Sequence, residues 1–359
     1  MFRVGIVGCG GIAYWKHTMV LKKMEDIEMV AFCDIVVERA EKFAADYGVE
    51  GARVYKDYKE MFAKEKGIMD VVHVCTPNNS HAEISIAAME DGDCHVLCEK
   101  PMAITYIDAL AMIDAHKRTG KKLTIGYQNR FAKESTYLKE ACDNGELGEI
   151  YFAKATASRR RGVPVWGEFL NKEVQGGGPL MDIGTHALDL TLWCMDNYKV
   201  ESVMGNIHKK LFDQKKTANQ WGDWNTEKFT VEDSAFGFVK MKNGATIIVE
   251  SSWAINMLDT QEAVTTLAGT KAGGDMKDGV RINFVENDRQ TVKKPDLNTG
   301  GVPHYGAEAM NADEIEARHW FDAIKNNTDP LVLPEQAAVV TRVLEAIYKS
   351  AETGELVKF

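Results

Sequence analysis

Near the N-terminus, Gly8-Cys9-Gly10-Gly11-Ile12-Ala13 carries the spacing G-x-G-x-x-A. That spacing suits a backbone that must bind a diphosphate. Gly8 permits a tight turn, Gly10 lets the main chain approach a pyrophosphate, and Ala13 keeps the following helix close to the preceding strand. The motif follows an apolar run at residues 4–7 and opens a helical stretch at Ile12. The free N–H groups and partial positive charge of a helix N-terminus would then meet the phosphates. This context favours a dinucleotide loop over a glycine-rich turn without a ligand. Asp34 closes the next strand-like run, 21 residues after Ala13. A carboxylate there accepts hydrogen bonds from a ribose 2′-hydroxyl and repels a 2′-phosphate. Ile35, Val36 and Val37 follow it, with Arg39 farther along, so the pattern favours NAD over NADP. A second reading of Asp34, compatible with the first, is an N-cap of the next helix.

These residues need elements to hold them. Strand-length apolar runs occur at 2–7, 29–33, 71–75, 95–98 and 123–125, with amphipathic stretches such as 82–90 and 109–116 between them. Strands alternating with helices indicate an α/β Rossmann domain built on a doubly wound parallel sheet. After residue 130 the pattern changes. A strand is expected at 150–158, then a glycine-rich segment at 176–179 and a helix over 182–195. Further strands are expected at 200–208, 234–241, 245–253 and 280–285. Asn243-Gly244 signals a two-residue hairpin between the third and second last of these. Two helices, 308–325 and 335–352, close the chain, the second bracketed by Pro334 and Gly354. The expected division is a dinucleotide-binding domain over 1–130 and an α+β domain over 131–359, with a large, mostly antiparallel sheet for substrate binding and oligomerisation. Residues 209–230 and 286–307 read as long loops.

Composition limits the possible functions. The chain has 359 residues, 45% of them hydrophobic, and a formal charge of −10. That acidity argues against a nucleic-acid partner. No apolar run approaches a membrane span, and the N-terminal stretch does not read as a signal peptide. The seven cysteines, Cys94 and Cys98 among them, lack a second matching pair for zinc. Reduced thiols in a cytoplasmic protein with no metal are expected.

Two further segments sharpen the reading: Cys98-Glu99-Lys100-Pro101 and Gly176-Gly177-Gly178-Pro179-Leu180-Met181-Asp182-Ile183-Gly184-Thr185-His186-Ala187-Leu188-Asp189. With the N-terminal motif, and with the ending at 332–354, the chain resembles the family of glucose–fructose oxidoreductase, inositol dehydrogenase and the MocA proteins. The resemblance implies a Rossmann domain followed by a domain with a large sheet, and assembly as a homodimer or homotetramer through that sheet. It implies hydride transfer between NAD(P) and a secondary hydroxyl of a sugar, polyol or sugar derivative. Carried over residue by residue, it assigns Lys100, Asp182 and His186 to catalysis and substrate. Gly8, Gly10, Gly11, Ile12 and Asp34 fall to the cofactor, as do Thr76, Pro77 and Asn78 of the next loop. His81, Glu99, Lys100 and Asn129 complete the cofactor set. Relatives that modify glycosides through a tightly bound, recycled NAD are an alternative, and a non-catalytic NAD-binding regulator is another.

Oxidising an alcohol requires removal of the hydroxyl proton and stabilisation of the developing oxyanion. His186 titrates nearest neutrality and suits the base. Asp182, four residues earlier on the expected helix, shares its face and can orient the imidazole or contact a substrate hydroxyl. Lys100, at the C-terminal end of a parallel strand, faces the crevice where such sheets bind ligands, and is the alternative base. Each has a plainer reading: a solvated lysine, an N-cap aspartate, a core histidine. The run Arg159-Arg160-Arg161 with Trp166 reads as a sugar-site loop, with Arg160 and Trp166 as sugar-binding residues, or as a clamp for an anionic substrate, set against a surface loop of paired arginines. Gln128, Asn129 and Arg130 are expected at the crevice, and His304 and Tyr305 in a loop over substrate.

Overall fold

The structure is a computed structural model and describes residues 1–297 and 310–359. His304 and Tyr305 therefore lie outside the described residues. The chain divides into two compact units: Met1–Tyr127 with Asp313–Thr341, and Gln128–Ala312 with Arg342–Phe359. A single cut at residue 130 misses the return of 313–341 to the first unit. The reason is apolar: Ala317, Trp320 and Phe321 of the helix Ala312–Lys325 are buried in one cluster with Val4, Ile6 and Val71.

In the first unit, six strands are β1 (Phe2–Val7), β2 (Ile27–Cys33), β3 (Arg53–Tyr55), β4 (Val71–Val74), β5 (His95–Cys98) and β6 (Leu123–Ile125). They pair in parallel in the order β3-β2-β1-β4-β5-β6. All four residues of β4 are buried, three valines with His73 among them, as expected of a strand covered on both faces. The edge strand β3 has three residues and only Tyr55 buried, too little pattern to be seen in sequence. Strand order reverses between β1 and β4, so the loops after these two strands flank the crevice where ligands bind in such sheets.

The second unit holds β7 (Ile150–Ser158), β8 (Val200–His208), β9 (Ser234–Met241), β10 (Thr246–Ser252), β11 (Val264–Gly269), β12 (Gly273–Asp275), β13 (Arg281–Glu286), β14 (Arg289–Lys293) and β15 (Val357–Lys358). Their order is β14-β13-β12-β11-β7-β10-β9-β8-β15, antiparallel throughout except for β7 with β10. Strand β14 falls inside the expected loop at 286–307. Its Arg-Gln-Thr-Val-Lys sequence is an exposed edge without an apolar face. The β9–β10 hairpin is wider than expected. The Met241 amide donates to the Ala245 carbonyl, so three residues connect the strands, with Gly244 at φ +90°. One sheet face is covered: Ala153, Ala155, Val239, Ile247, Val249 and Leu267 are buried. Against it lies the helix Thr185–Met195, which contacts β7 and β11, and Ile347, which sits so close to Gly205 and Gly237 that a Cβ on either would come within 2.7 Å. The alternate residues Met204 and Phe238 are 48% and 47% exposed.

Candidate active site

The loop after β1 is built for close approach. Gly8 has φ +91°, and a Cβ there would lie 2.7 Å from the Cys75 carbonyl carbon. No other residue type fits where the β1 and β4 loops converge. Gly10 and Gly11 differ: an added Cβ meets nothing within 4 Å among the described residues. That open space before a helix N-terminus is what a pyrophosphate requires. The Asp34 carboxylate accepts from the Cys9 amide at 2.8 Å and from the Val36 amide at 2.8 Å, tying the glycine loop to the end of β2. It does not cap the next helix, whose N-cap is Val36. Thr76, Pro77 and Asn78 form the loop after β4, where the Ser80 hydroxyl donates to Thr76 Oγ1 at 2.8 Å.

Two expected cofactor residues have their side chains committed inside the protein. The His81 nitrogens lie 2.8 Å from the Pro101 and Thr76 carbonyl oxygens, so the ring clamps the loop after β4 to the one after β5. Glu99 accepts from Lys16 at 2.8 Å and sits 2.8 Å from His17 Nε2. Both residues hold the loop that carries Lys100. The Lys100 amide donates to Glu99 Oε2 at 3.3 Å, and Lys100 itself is half-buried. Lys16 also pairs with Glu316 at 3.0 Å and donates to the Gly126 carbonyl at 3.2 Å. Burial opposes the charge on Glu99, but Lys16 and His17 outweigh it and hold the carboxyl well below its usual range. This buried cluster was not legible beforehand, because Lys16, Glu99 and Glu316 are far apart in the chain. The one trace of it in the sequence is Lys16 next to His17 on the helical stretch that opens at Ile12.

Asp182 and His186 belong to the second unit. The expected uniform α-helix starts instead with a π-helical segment, Leu180–Gly184, continued by the α-helix Thr185–Met195. Such segments are rare and recur at functional sites. The Asp182 carboxylate accepts from the Trp253 indole N–H at 3.0 Å, and His186 is 8% exposed. The glycines before them also have a packing reason. A Cβ on Gly177 would fall 1.9 Å from the Tyr348 hydroxyl oxygen, and one on Gly178 would fall 2.4 Å from the Glu232 carbonyl oxygen. Glu232 is buried and accepts from the Gly178 amide at 2.9 Å, the Leu180 amide at 3.2 Å and the Tyr348 hydroxyl at 2.8 Å. It thereby anchors the start of the helix that carries Asp182. Neither Glu232 nor Tyr348 was expected.

The remaining expectations divide. Arg130 is fully buried in a two-pronged ion pair with Asp189, at 2.9 and 2.6 Å, so it is a structural residue and not a crevice residue. Asn129 is half-buried beside it. Arg159 donates to Glu262 at 2.6 Å, and Arg161 donates to the Ile255 carbonyl at 3.1 Å and to Asn256 at 2.6 Å. Burial opposes the charge on Arg159, yet the Glu262 hydrogen bond and the Asp182 and Glu262 charges raise its pKa. Arg160 is exposed. Trp166 is 50% exposed and packs edge-on to Trp221 at 4.9 Å and to Phe169 at 6.1 Å. Phe169 in turn lies 6.3 Å from Trp253.

Comparison with known proteins agrees with this geometry. Residues 2–127 match the GFO/IDH/MocA model described as an oxidoreductase family with an NAD-binding Rossmann fold, and residues 136–273 match the family's C-terminal domain. The chain is 35% identical to D-glucoside 3-dehydrogenase of Escherichia coli, over 99% of this chain and 97% of that protein. It is 29% identical to glucose-6-phosphate 3-dehydrogenase of Bacillus subtilis, over 68% of this chain and 65% of that protein. In fold it is similar to a levoglucosan dehydrogenase solved with NADH, with a TM-score of 0.82, 21% identity, and coverage of 99% of this chain and 98% of that one. The chain belongs to the GFO/IDH/MocA family of NAD-binding oxidoreductases.

Proposed function

We propose that the protein oxidises a secondary ring hydroxyl of a sugar, with Lys100, Asp182 and His186 acting on the substrate. The observation that carries this reading is the Asp182 carboxylate, fixed by the Trp253 indole at 3.0 Å on the same helical run as His186. When bound, NAD supplies the nicotinamide carbon that accepts the hydride. His186 takes the hydroxyl proton at its imidazole. Asp182, its position set by Trp253, orients the imidazole or a neighbouring hydroxyl. The Lys100 ammonium holds the reacting oxygen and lowers its proton affinity. Gly8, Gly10, Gly11 and Ile12 receive the pyrophosphate, Asp34 receives the adenosine ribose, and the loop 76–78 and Asn129 lie along the dinucleotide. Arg160 and Trp166 meet the sugar. D-glucoside 3-dehydrogenase and glucose-6-phosphate 3-dehydrogenase are both named for position 3 of a glucose unit, which makes that hydroxyl the first to test. The unpartnered face of the nine-stranded sheet joins copies of the chain into a homo-oligomer.

The experiment is single-turnover hydride transfer with saturating NAD across a panel of sugars, glycosides and polyols. Lys100→Met, Asp182→Asn and His186→Ala each lose about 10²–10⁴-fold in rate while retaining NADH binding. A His186→Ala variant with an unaltered rate and pH profile removes His186 as the base and moves that role to Lys100. Conversion without added NAD, with dinucleotide retained in the purified protein, identifies the recycled-cofactor reaction instead.

A further inference from the structure

His81 is the first residue of the helix His81–Glu90 and is 1% exposed. Its Nδ1 lies 2.8 Å from the Pro101 carbonyl oxygen, and its Nε2 lies 2.8 Å from the Thr76 carbonyl oxygen. A carbonyl oxygen only accepts. Both contacts are hydrogen bonds only when each ring nitrogen carries a proton, which makes the ring an imidazolium. The neutral ring has one N–H, and its other nitrogen would turn a lone pair towards an oxygen 2.8 Å away. His17 is different. Its Nε2 meets the Glu99 carboxylate and its Nδ1 meets His73 Nδ1, a ring nitrogen that can donate. That pair is satisfied with both rings neutral.

Opposing forces act on the charged ring. Burial pulls the His81 pKa below its usual value, and the Lys100 charge adds to that shift. The Pro101 and Thr76 carbonyls and the Glu99 charge at the end of β5 oppose it. The N-terminal end of a helix also disfavours a cation. The ring therefore titrates on the acid side of an ordinary histidine. The two carbonyls decide which proton leaves. The Pro101 contact is buried, whereas the Thr76 contact is only partly buried and is followed in the loop by the exposed Pro77. A buried carbonyl without a donor is costly, but water replaces a donor lost at a partly exposed one. The neutral ring thus keeps its proton on Nδ1, stays on Pro101 next to Lys100, and releases Thr76. The loop after β4 retains its own shape, because the Ser80 hydroxyl oxygen lies 2.8 Å from both Thr76 Oγ1 and the Pro77 carbonyl oxygen.

We infer that His81 is a positioning residue whose grip on the loop Thr76–Asn78 depends on a proton: as an imidazolium it ties Thr76 to Pro101, and as a neutral imidazole it holds Pro101 alone. The inference rests on the assignment of residues 76–78 to the cofactor above. A loop already held in place spares the cost of ordering it when NADH binds. NADH affinity then falls as pH rises through the titration of the ring. By reciprocity, NADH binding draws a proton from solvent onto His81 Nε2.

The test begins with cofactor-free protein carrying isotopically labelled histidine nitrogen, followed by NMR across the pH range. The His81 signals are identified by their loss in His81→Gln, with thermal melts confirming that the variant folds; His81→Asn replaces it if it does not. The expected result is two protonated ring nitrogens at acid pH and a proton on Nδ1 alone after the titration. NADH affinity, read by fluorescence over the same range, should weaken about tenfold in wild type, and this step should be absent from His81→Gln. Calorimetry in buffers of different ionisation enthalpy should show proton uptake on NADH binding that the variant lacks. A ring with one protonated nitrogen at every pH at which the protein is folded overturns the clamp, and so does a neutral ring protonated on Nε2. Asn78→Ala separates the clamp from the cofactor assignment. If it weakens NADH binding while wild type and His81→Gln share one pH dependence, the clamp is overturned and the loop stays with the cofactor. If it leaves affinity unchanged, the cofactor assignment of the loop fails, and the cofactor-free titration alone decides the clamp.

Discussion

Individual side chains in this protein serve two tasks at once. Asp34 holds the glycine loop through the Cys9 amide, and the proposed site also gives it the adenosine ribose. NAD is accordingly preferred to NADP, and Asp34→Ser narrows the preference by removing the charge that repels a 2′-phosphate. Comparing kcat/KM for the two cofactors checks this, and a wild type that prefers NADP refutes it. Glu316 makes a second residue-scale case. Burial pushes its carboxyl from 4.5 up to about 7; Lys16 opposes the shift and the Glu99 charge adds to it. The folded protein therefore holds a proton that the unfolded chain has already released between those two values. This contribution favours folding at low pH and is lost as pH rises towards about 7. Glu316→Gln, neutral throughout, escapes the loss. Its melting temperature relative to wild type should rise between about pH 5 and pH 8. Parallel curves would show that Glu316 titrates normally.

At the scale of elements, both motif-bearing helices open with a π-helical segment, Ala13–Thr18 in one and Leu180–Gly184 in the other. In the first, the wider winding accompanies burial of Lys16 and His17, which reach Glu99 below the Lys100 loop. In the second, Glu232 and Tyr348 fix the segment through backbone that glycine alone allows to come so close. The glycines of one loop thus do different work, and substitution separates them. Gly10→Val should fold normally and lose about tenfold or more in NADH affinity, because the added atoms enter the empty space in which the proposed site seats the pyrophosphate. Gly8→Ala should be destabilised by about 1–3 kcal/mol, because its Cβ meets the Cys75 backbone at a positive φ. Thermal melts paired with NADH fluorescence titrations read both effects. A Gly8→Ala protein as stable as wild type would remove the close-packing argument.

At the scale of the whole molecule, the nine-stranded sheet presents one face to helices and leaves the other with Met204 and Phe238 about half exposed. The same face carries Lys154, Lys240 and Glu250, and the proposed homo-oligomer covers it with a second copy of the chain. Light scattering at micromolar concentration should report a dimer or tetramer, and Phe238→Asp should shift it towards monomer. A wild-type monomer contradicts the assignment. No helix among the described residues is long and apolar enough to cross a membrane.

What the sequence determined, it determined through local pattern. The G-x-G-x-x-A turn, Asp34, the buried apolar runs of β1, β2, β4, β5 and β6, and the segment holding Asp182 and His186 are all contiguous or evenly spaced. Periodicity and turn chemistry therefore expose them. Short strands escaped for the same reason: β3 and β14 hold three and five residues with little or no buried face to set a period. Only the tertiary structure decided what depends on distant segments meeting. The return of 313–341 to the first unit follows from burying Trp320 and Phe321, which no local rule assigns to a particular partner. Lys16 meets Glu99 and Glu316, Glu232 meets Gly178 and Tyr348, and Trp221 meets Trp166 across gaps that sequence spacing cannot bridge. Such charges and rings are placed by packing and desolvation, which act on neighbours in space and leave no mark on neighbours in the chain.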